Sequence, residues 1–501
     1  MTGSKRAVLT LGGRTVAPKL AASDDLSVVV GQFDVLLPCR QFNVRHKVAV
    51  VGQVSLTTEF LLRLLFSVEA LSERDAQQFF GFSEHEMAFV LKEAEAKAYI
   101  ERHGAQLRLS EYGRMLFADS DKPQIYEVEK GNERAAFDLF ALAPAEREYV
   151  SDFEFALPEL ELKDGEVVAN ASKLVPDAFR KYFVELVARR EREGGVRKSL
   201  YSVDGVTPEE RFFALVPVVA TAPAKRPSEA SPMLDGWKTG HELDDRAAVA
   251  HAVAAFLDRQ QQSISGEAAS AYDLLVDVAP DYLREFITRK GLSVGRYCAE
   301  TAARAGEFRV DRPTIGLVGP LYSSGNSDHL AEAMDQAARR GPPTSPAIWV
   351  APQSPLWGAS RGLPKVLEQL RGRLHGVGTD LPSDRVMGLV AGKPPTHLRR
   401  AFTTLVELPS RSELPTCLEV LLILGNVAAV LVHAPIDTQR GFPVPLGILS
   451  FDASVVERVA SMMTRLLPNQ LRSHGDVEIY TPDVLYPKAA RDTSLDHQSS
   501  A

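Results

Sequence analysis

The sequence predicts a multidomain protein of mixed α/β and α+β class, and three observations support this fold class. The chain has 501 residues, and a typical domain size of about 150 residues gives about three domains. Apolar residues make up 45% of the chain and charged residues 24%, which is the balance of proteins that bury real cores. The C-terminal third alternates short apolar runs with helical stretches, and this alternation is typical of layered α/β domains.

Charge and cysteine content exclude several classes of protein. The chain has 57 basic and 65 acidic residues and a net charge of -8, so any binding to nucleic acid or membrane must be local. Cys39, Cys298 and Cys417 are too far apart in sequence to suggest a disulfide framework or a zinc cluster by themselves. The apolar stretch Val420–Val432 is shorter than the ~20 residues that span a bilayer. We therefore expect a cytoplasmic protein with no metal, cofactor or membrane partner.

Residues 1–56 are interpreted as a strand-containing leader, and residues 57–120 as a helical domain. Helical periodicity begins at Thr57. Ser83 and Glu86 have the S-x-x-E spacing of a capping box at the start of another helix. The order is helix, turn, helix, followed by a small hairpin.

Residues 57–117 resemble a winged helix-turn-helix domain, with Gly81 in the turn, 84–98 as the recognition helix and 102–109 as the wing. The recognition helix has a charge of -2, which repels phosphate and argues against major-groove binding. Arg102 and Arg108 on the wing partly offset this charge. The resemblance implies two alternatives. A module used for domain packing, or for contact with another protein or a second copy of the chain, is favoured over DNA binding of low specificity.

Residues 121–220 are expected to form a mixed α+β region with a strand at 153–157 and a basic helix at 178–193. The stretch from Phe179 to Lys198 has a net charge of +4, which predicts phosphate contact unless the helix is merely solvated. Together with the wing, this helix gives a predicted nucleic-acid-binding set. Its members are Arg102, Arg108, Arg180, Lys181, Arg189, Arg190, Arg192, Arg197 and Lys198.

The rest of the chain is divided into a linker at 221–240, a helical region at 241–310, an α/β domain at 311–485 and a disordered tail at 486–501. The linker is rich in proline and small residues. Within the α/β domain, the Gly425-Asn426 pair between apolar runs predicts a hairpin with a type II′ turn. A closing helix is expected at 453–467.

The loop Gly319–Asp328 is the best candidate for a ligand site because it runs from a strand into a helix N-terminus, where free backbone amides bind anions. The predicted ligand-binding residues are Ser323, Ser324, Gly325 and Asn326, with Asp328 as the helix N-cap. The alternative is a purely structural turn. Gly358-Ala359-Ser360-Arg361-Gly362 matches G-x-S-x-G, but prolines separate it from the preceding strand, which argues against a nucleophile elbow.

The element order of residues 310–485, with a strand-helix-strand unit, a hairpin, a further strand and a closing helix, is similar to that of the phospholipase D-like fold. Active members of that family require H-x-K-x4-D. Here His433 is followed by Pro435 in place of lysine and Arg440 in place of aspartate. The resemblance therefore implies a catalytically inactive domain, like the ligand-sensing domains that follow winged helices in some prokaryotic regulators.

These observations predict a non-enzymatic regulatory or scaffold protein that couples a winged helix to a ligand- or partner-binding α/β domain. The expected setting is a prokaryotic antiviral defence or DNA-transaction system. One alternative is a DNA-binding transcriptional regulator. The other is a hydrolase or nuclease with an unrecognised site, for which Ser360, His433, Asp437 and Asp452 are the first candidates.

Overall fold

The computed structural model of the chain describes most residues between 26 and 480. The described residues are 26–51, 55–118, 123, 126–162, 165–188, 198–237, 246–304, 308, 312–343, 345–374, 385–408, 413–467 and 479–480. Helices and strands are mixed in several sheets, which confirms the predicted fold class. No described helix has both the length and the apolar character needed to cross a bilayer. The predicted tail at 486–501 lies outside the described residues.

The elements are numbered in chain order. The first half contains β1 (Ser27–Val51), α1 (Leu56–Val68), β2 (Leu71–Ser72), α2 (Glu73–Phe80), α3 (Glu84–Ala96), β3 (Ile100–His103), β4 (Gln106–Leu109), α4 (Glu111–Met115), β5 (Tyr126–Asp138), α5 (Gly165–Lys181), β6 (Lys198–Pro223) and β7 (Ser231–Met233). The second half contains α6 (Arg246–Asp258), β8 (Gln262–Ser263), α7 (Ala268–Val278), α8 (Pro280–Leu283), β9 (Ile287–Thr288), β10 (Gly291–Leu292), α9 (Val294–Arg304), β11 (Thr314–Val318), α10 (Ser324–Ala338), β12 (Ala347–Ala351), α11 (Gly362–Arg373), β13 (Val386–Ala391), α12 (Thr396–Ala401), β14 (Thr404–Leu408), β15 (Leu418–Ile423), β16 (Val427–Ala434), β17 (Arg440–Gly441), β18 (Val444–Ser450), α13 (Ala453–Leu466) and β19 (Ile479–Tyr480).

The strand β1 organises the N-terminal half. It pairs antiparallel with both β5 and β6, in a sheet of order β5-β1-β6-β7. Its first half, from Val30 to Cys39, is buried in the same core as the α/β domain, whereas Phe42, Val44 and Val48 pack in a second core with α5. Residues 27–51 of the predicted leader therefore belong to this sheet, so the interpretation of that part as a leader is wrong, and the boundary at 120 separates strands of one sheet. Residues 1–25 lie outside the described residues.

Residues 55–118, here called the helical insertion, lie between β1 and β5 and have a core of their own. Their order is α1-β2-α2-α3-β3-β4-α4, with a small sheet of order β2-β4-β3. The predicted capping box is present, since the Ser83 side chain accepts from the Glu86 amide and the Glu86 carboxylate accepts from the Ser83 amide. Gly81 ends α2 in the left-handed conformation, with φ 68°, which glycine adopts without strain.

Two predictions for the middle of the chain are wrong. The expected strand at 153–157 is a short 3-10 turn, Glu154–Ala156, because local backbone bonds such as Ala156 N to Phe153 O replace strand pairing. The expected linker at 221–240 begins inside β6, includes β7 and buries Ser228, whose hydroxyl accepts a hydrogen bond from the Ile436 amide at 2.8 Å. Its prolines lie in folded structure and do not form a flexible spacer.

The helices α6 to α9, here called the bridging helices, occupy the region predicted to be helical. They share the large core that contains β1 and the α/β domain. Tyr297 of α9 is fully buried, and its hydroxyl donates to the carbonyl of Gly447 in β18 at 2.5 Å. This contact fixes the bridging helices to the sheet of the next domain.

The α/β domain, residues 312–467, is built on a sheet of order β11-β18-β16-β15-β12-β13-β14-β19. The strands β12, β13 and β14 are parallel, and the other pairings are antiparallel. The hairpin at Gly425-Asn426 is confirmed, and so is the closing helix, α13. The turn type differs from the prediction, because Ile423 pairs with Val427 and leaves a three-residue loop, with Gly425 at φ 68°.

Candidate functional site

The predicted anion loop lies against β1. The Gly319 amide donates to the Pro445 carbonyl at 2.8 Å, and a Cβ on Gly319 would come within 2.2 Å of the Val29 carbonyl oxygen. The Asn326 amide nitrogen donates to the carbonyls of Val318, Gly319 and Pro320 at 3.0–3.1 Å. The side chain predicted to hold a ligand therefore makes its hydrogen bonds inside the loop.

The remaining residues of that loop form the start of α10. Ser323 is the N-cap by backbone position and is buried, so the prediction that Asp328 is the N-cap is wrong by more than one helical turn. Ser324 and Gly325 are exposed in the first turn. Gly325 has open space around its Cα and no positive φ, so neither close approach nor backbone strain requires glycine there.

The predicted basic helix differs in position from the observed one. Its counterpart, α5, ends at Lys181 and is followed by a π-helical turn, Val184–Ala188. Arg180 pairs with Asp177 at 2.5 Å, and the Lys181 ammonium lies 4.9 Å from the centre of the Tyr182 ring. Lys198 is the first residue of β6. The other predicted members of this set, Arg189, Arg190, Arg192 and Arg197, lie outside the described residues.

The wing cation Arg102 is neutralised by two carboxylates of the helical insertion. Its guanidinium bonds Glu95 and lies 2.9 Å from Glu73. The hydrogen bond to Glu95 and the charge of Glu73 raise the pKa of Arg102. Arg108 is exposed opposite Glu101 in the β3-β4 pair. The wing therefore presents less positive charge than its sequence suggests.

The helices α2 and α3 form an acidic surface with exposed aromatic side chains. Residues 73–96 contain six acidic and two basic side chains, a net charge of -4. Phe79 is 67% exposed and Phe89 is 66% exposed. The core stripe of α3 is Met87, Val90, Leu91 and Ala94. Phe89 lies off this stripe and was not singled out from the sequence.

A buried polar network lies in the α/β domain. His433 Nε2 of β16 is 2.6 Å from Glu419 Oε2 of β15, and both side chains are almost inaccessible to solvent. The Trp349 indole donates to the other carboxylate oxygen of Glu419 at 3.0 Å. A cavity of only about 20 Å³ lies beside His433, between β1 and the sheet. His433 is therefore paired with Glu419 and buried from solvent.

Ser360 of the G-x-S-x-G match belongs to a structural contact, here called the Asp34 anchor. Its hydroxyl donates to the buried Asp34 carboxylate of β1 at 3.1 Å. The same carboxylate accepts from the Arg361 amide at 2.7 Å and from its guanidinium at 3.1 Å. The Asp34 amide in turn donates to Ala359 O at 2.9 Å. The anchor joins the N-terminal sheet to the α/β domain.

The residues of the hydrolase alternative take part in separate contacts. Asp452 is the N-cap of α13 and accepts from the Ser454 amide at 2.7 Å. Asp437 lies in a loop with φ 55°. Ser360 bonds Asp34, and His433 bonds Glu419. None of these contacts is the nucleophile-base hydrogen bond that covalent catalysis requires.

The described residues contain no group of three or more side chains suited to hold a metal ion. All three cysteines are buried and unpaired. Burial raises the pKa of the Cys298 thiol to about 12 and that of Cys417 to about 11. Neutral thiols of this kind are poor nucleophiles.

No protein-family model matches this chain, and no curated protein matches it. Only the geometry of each candidate site therefore bears on its role. The acidic aromatic surface of α2 and α3 is open to a partner, whereas the predicted anion loop, the His433 network and the Asp34 anchor use their polar groups internally.

Proposed function

We propose that this chain is a non-enzymatic regulatory scaffold, in which the helical insertion is a winged helix that docks a partner protein. The order α1-β2-α2-α3-β3-β4 supports this assignment, because it contains the helices, turn and wing on which the resemblance rests. The insertion connects β1 and β5 of the N-terminal sheet, and β1 shares a core with the α/β domain. Its element order supports the resemblance to an inactive phospholipase D-like domain.

The observation that supports docking best is the exposure of Phe79 and Phe89 on α2 and α3. Each leaves about two thirds of its surface in water, and aromatic side chains are enriched at the centres of protein interfaces. Eight of the 19 large hydrophobic side chains that are exposed among the described residues belong to the helical insertion. Exposed apolar clusters of this kind mark interaction surfaces.

The charge around these aromatic side chains indicates the kind of partner. The net charge of -4 on residues 73–96 repels phosphate and favours a protein surface with an apolar centre and a lysine- and arginine-rich rim. Arg102, which could have offset this charge on the wing, is paired with Glu73 and Glu95. These contacts favour a protein partner over DNA.

The proposal can be tested by cross-linking from the docking surface. A photo-reactive residue placed at position 89 of the full chain should cross-link one partner protein in the cells that produce it. That partner is then purified and titrated against the wild type and Phe89→Ser. We expect the substitution to weaken binding by at least about tenfold, as for a central aromatic contact.

Leu424→Ser is the matched control, because Leu424 is a 46% exposed apolar side chain on the hairpin of the α/β domain. It should leave partner affinity unchanged. Equal losses for the two variants, or tight sequence-selective DNA binding at physiological salt, would contradict the proposal.

The second candidate is phosphodiester hydrolysis, in which His433, paired with Glu419, would be the nucleophile, but two observations argue against it. That chemistry in the phospholipase D-like manner needs a lysine beside the histidine, where this chain has Pro435. The cavity of about 20 Å³ next to His433 also leaves no room for a phosphodiester. We expect purified protein to be inert towards DNA and phospholipid, and any cleavage abolished by His433→Ala would overturn this expectation.

A further inference from the structure

A cavity of about 700 Å³ lies between the bridging helices and the α/β domain. One wall is formed by α8 and α9, the floor by the edge strand β11, and the opposite wall by the first turns of α13. Its volume lies within the range of about 300–1,000 Å³ that is typical of small-molecule sites. None of its lining residues belongs to the predicted anion loop Gly319–Asp328 or to the docking surface of α2 and α3.

Glycine at position 316 lets the wall and the floor meet closely. A Cβ there would lie 2.6 Å from the Thr301 hydroxyl and 3.1 Å from the Tyr282 hydroxyl. The backbone of Gly316 hydrogen-bonds the Tyr282 hydroxyl. Tyr297, behind this wall, is anchored to β18 through Gly447. The hydroxyls of Tyr282 and Thr301 therefore lie close to Gly316 in the lining of the cavity.

Three of the charged groups around the cavity already have partners within the protein. Arg304 donates to both carboxylate oxygens of Glu285, at 2.6 and 3.2 Å. That hydrogen bonding lowers the pKa of Glu285, and the charges of Arg296 and Arg312 contribute at longer range. Asp452 caps α13. These groups are committed to the protein.

Arg312 and Arg458 also line the cavity, and they differ from Arg304 in the kind of partner that their guanidinium groups have. Arg458 donates to the Val278 carbonyl at 2.9 Å and to the Ser454 hydroxyl at 3.2 Å, which are both neutral acceptors. Arg312 is exposed at the mouth. Within the described parts of the chain, neither arginine forms an ion pair. Asp281, also on the wall, adds a carboxylate that can accept from a hydroxyl or amino group.

We propose that this cavity binds a nucleoside phosphate. Arginine is the preferred partner of phosphate oxygens because its planar donors match them in pairs, and Arg312 and Arg458 supply that charge. The volume exceeds what a bare phosphate needs, and the Tyr282 ring offers an aromatic face for a base. Asp281 would accept from a ribose hydroxyl.

Isothermal titration of the full chain with ADP, UDP and inorganic phosphate tests this site. We expect the two nucleotides to bind and inorganic phosphate to bind more weakly and compete with them. Arg312→Gln and Arg458→Gln should each weaken nucleotide binding by at least about tenfold, because each removes a charge-assisted hydrogen bond. Arg312 bonds no other described group, so its variant should keep the wild-type melting temperature.

Arg289→Gln, which changes an exposed arginine of the β9-β10 turn outside the cavity, is the matched control and should bind as the wild type does. The proposal is overturned if neither nucleotide binds at about 1 mM, or if Arg289→Gln and Arg312→Gln lose affinity equally. The titration contains no partner protein, and Phe89→Ser should bind nucleotide normally. Failure here is therefore distinguishable from failure of the docking proposal.

Discussion

The helical insertion and the α/β domain differ in how many of their large apolar side chains are exposed to solvent. Eight exposed large hydrophobic side chains lie in residues 55–118, whereas the described residues between 312 and 467 expose one, Leu424. The α/β domain buries all of β15, β16 and β18. A module of about 60 residues cannot bury as large a fraction of its surface as a larger domain. Size alone does not place Phe89 two thirds in water, however, and the docking role proposed for this side chain would account for its exposure.

Each region also contains one carboxylate that joins several elements, and the two differ in burial. Glu93 of α3 accepts from the Ser55 amide at 3.0 Å, from the Ser55 hydroxyl at 2.6 Å and from the Thr58 hydroxyl. Glu419 joins His433 and Trp349 with no exposure to solvent. Both carboxylates accept several hydrogen bonds. If either side chain were removed, water could replace the lost hydrogen bonds only around Glu93.

The largest expected effect on the free energy of unfolding follows from the difference in burial between Glu419 and Glu93. Glu419→Ala should lower the free energy of unfolding by about 3–5 kcal/mol, because it leaves a histidine and an indole N–H buried without their partner. Glu93→Ala should cost about 1 kcal/mol, the usual cost of a lost helix-cap contact. Urea denaturation of both variants measures the difference. Equal losses would show that burial does not distinguish the two regions.

The next effect concerns the Asp34 anchor between the N-terminal sheet and the α/β domain. Asp34→Ala should destabilise the chain by about 2–3 kcal/mol, because it removes hydrogen bonds to the Ser360 hydroxyl and to Arg361. Ser360→Ala should cost about 1 kcal/mol. Thermal melting measures both. A Ser360→Ala variant that lost a hydrolytic activity while keeping its stability would contradict the structural role.

The helical insertion and the rest of the chain should respond differently to pH. Burial raises the pKa values of Cys298 and Cys417 to about 12 and about 11. The unfolded chain releases these protons near pH 9, so it binds fewer protons than the folded chain between about pH 9 and 11, and stability falls as pH rises there. The insertion has no cysteine. Hydrogen bonds from Ser83 to Glu86 lower the pKa of that carboxyl, and this contribution is lost as pH falls.

Tryptophan fluorescence separates these responses, because all three tryptophans, Trp237, Trp349 and Trp357, lie outside the insertion. An alkaline titration should change the fluorescence, and replacing Cys298 and Cys417 with serine should move the transition. Fluorescence that stays constant up to about pH 11 would show that these thiols are not part of the cooperative core.

Sequence patterns predicted local elements of the insertion and of the α/β domain well and the long-range strand pairing poorly. The capping box at Ser83, the glycine at the end of α2 and the hairpin at Gly425 depend on residues within a few positions of one another. The partnership of β1 with β6 joins residues about 180 positions apart, and local periodicity contains no information on it. The same limit applies to the sites, since nothing in the G-x-S-x-G match indicates that Ser360 bonds Asp34.

The smallest expected effect concerns Arg102 and DNA. Arg102→Ala should change stability by less than about 1 kcal/mol, because its ion pairs with Glu73 and Glu95 are solvent-exposed. It should also leave DNA affinity unchanged, since a neutralised guanidinium releases few counterions.

Any DNA binding should be non-specific and lost at moderate salt. Replacing Arg189, Arg190 and Arg192 with alanine should weaken it more than Lys92→Ala does. Gel shifts across a salt series measure the DNA affinity of each variant. Sequence-selective binding that is lost with Arg102→Ala would show that the insertion recognises DNA sequence.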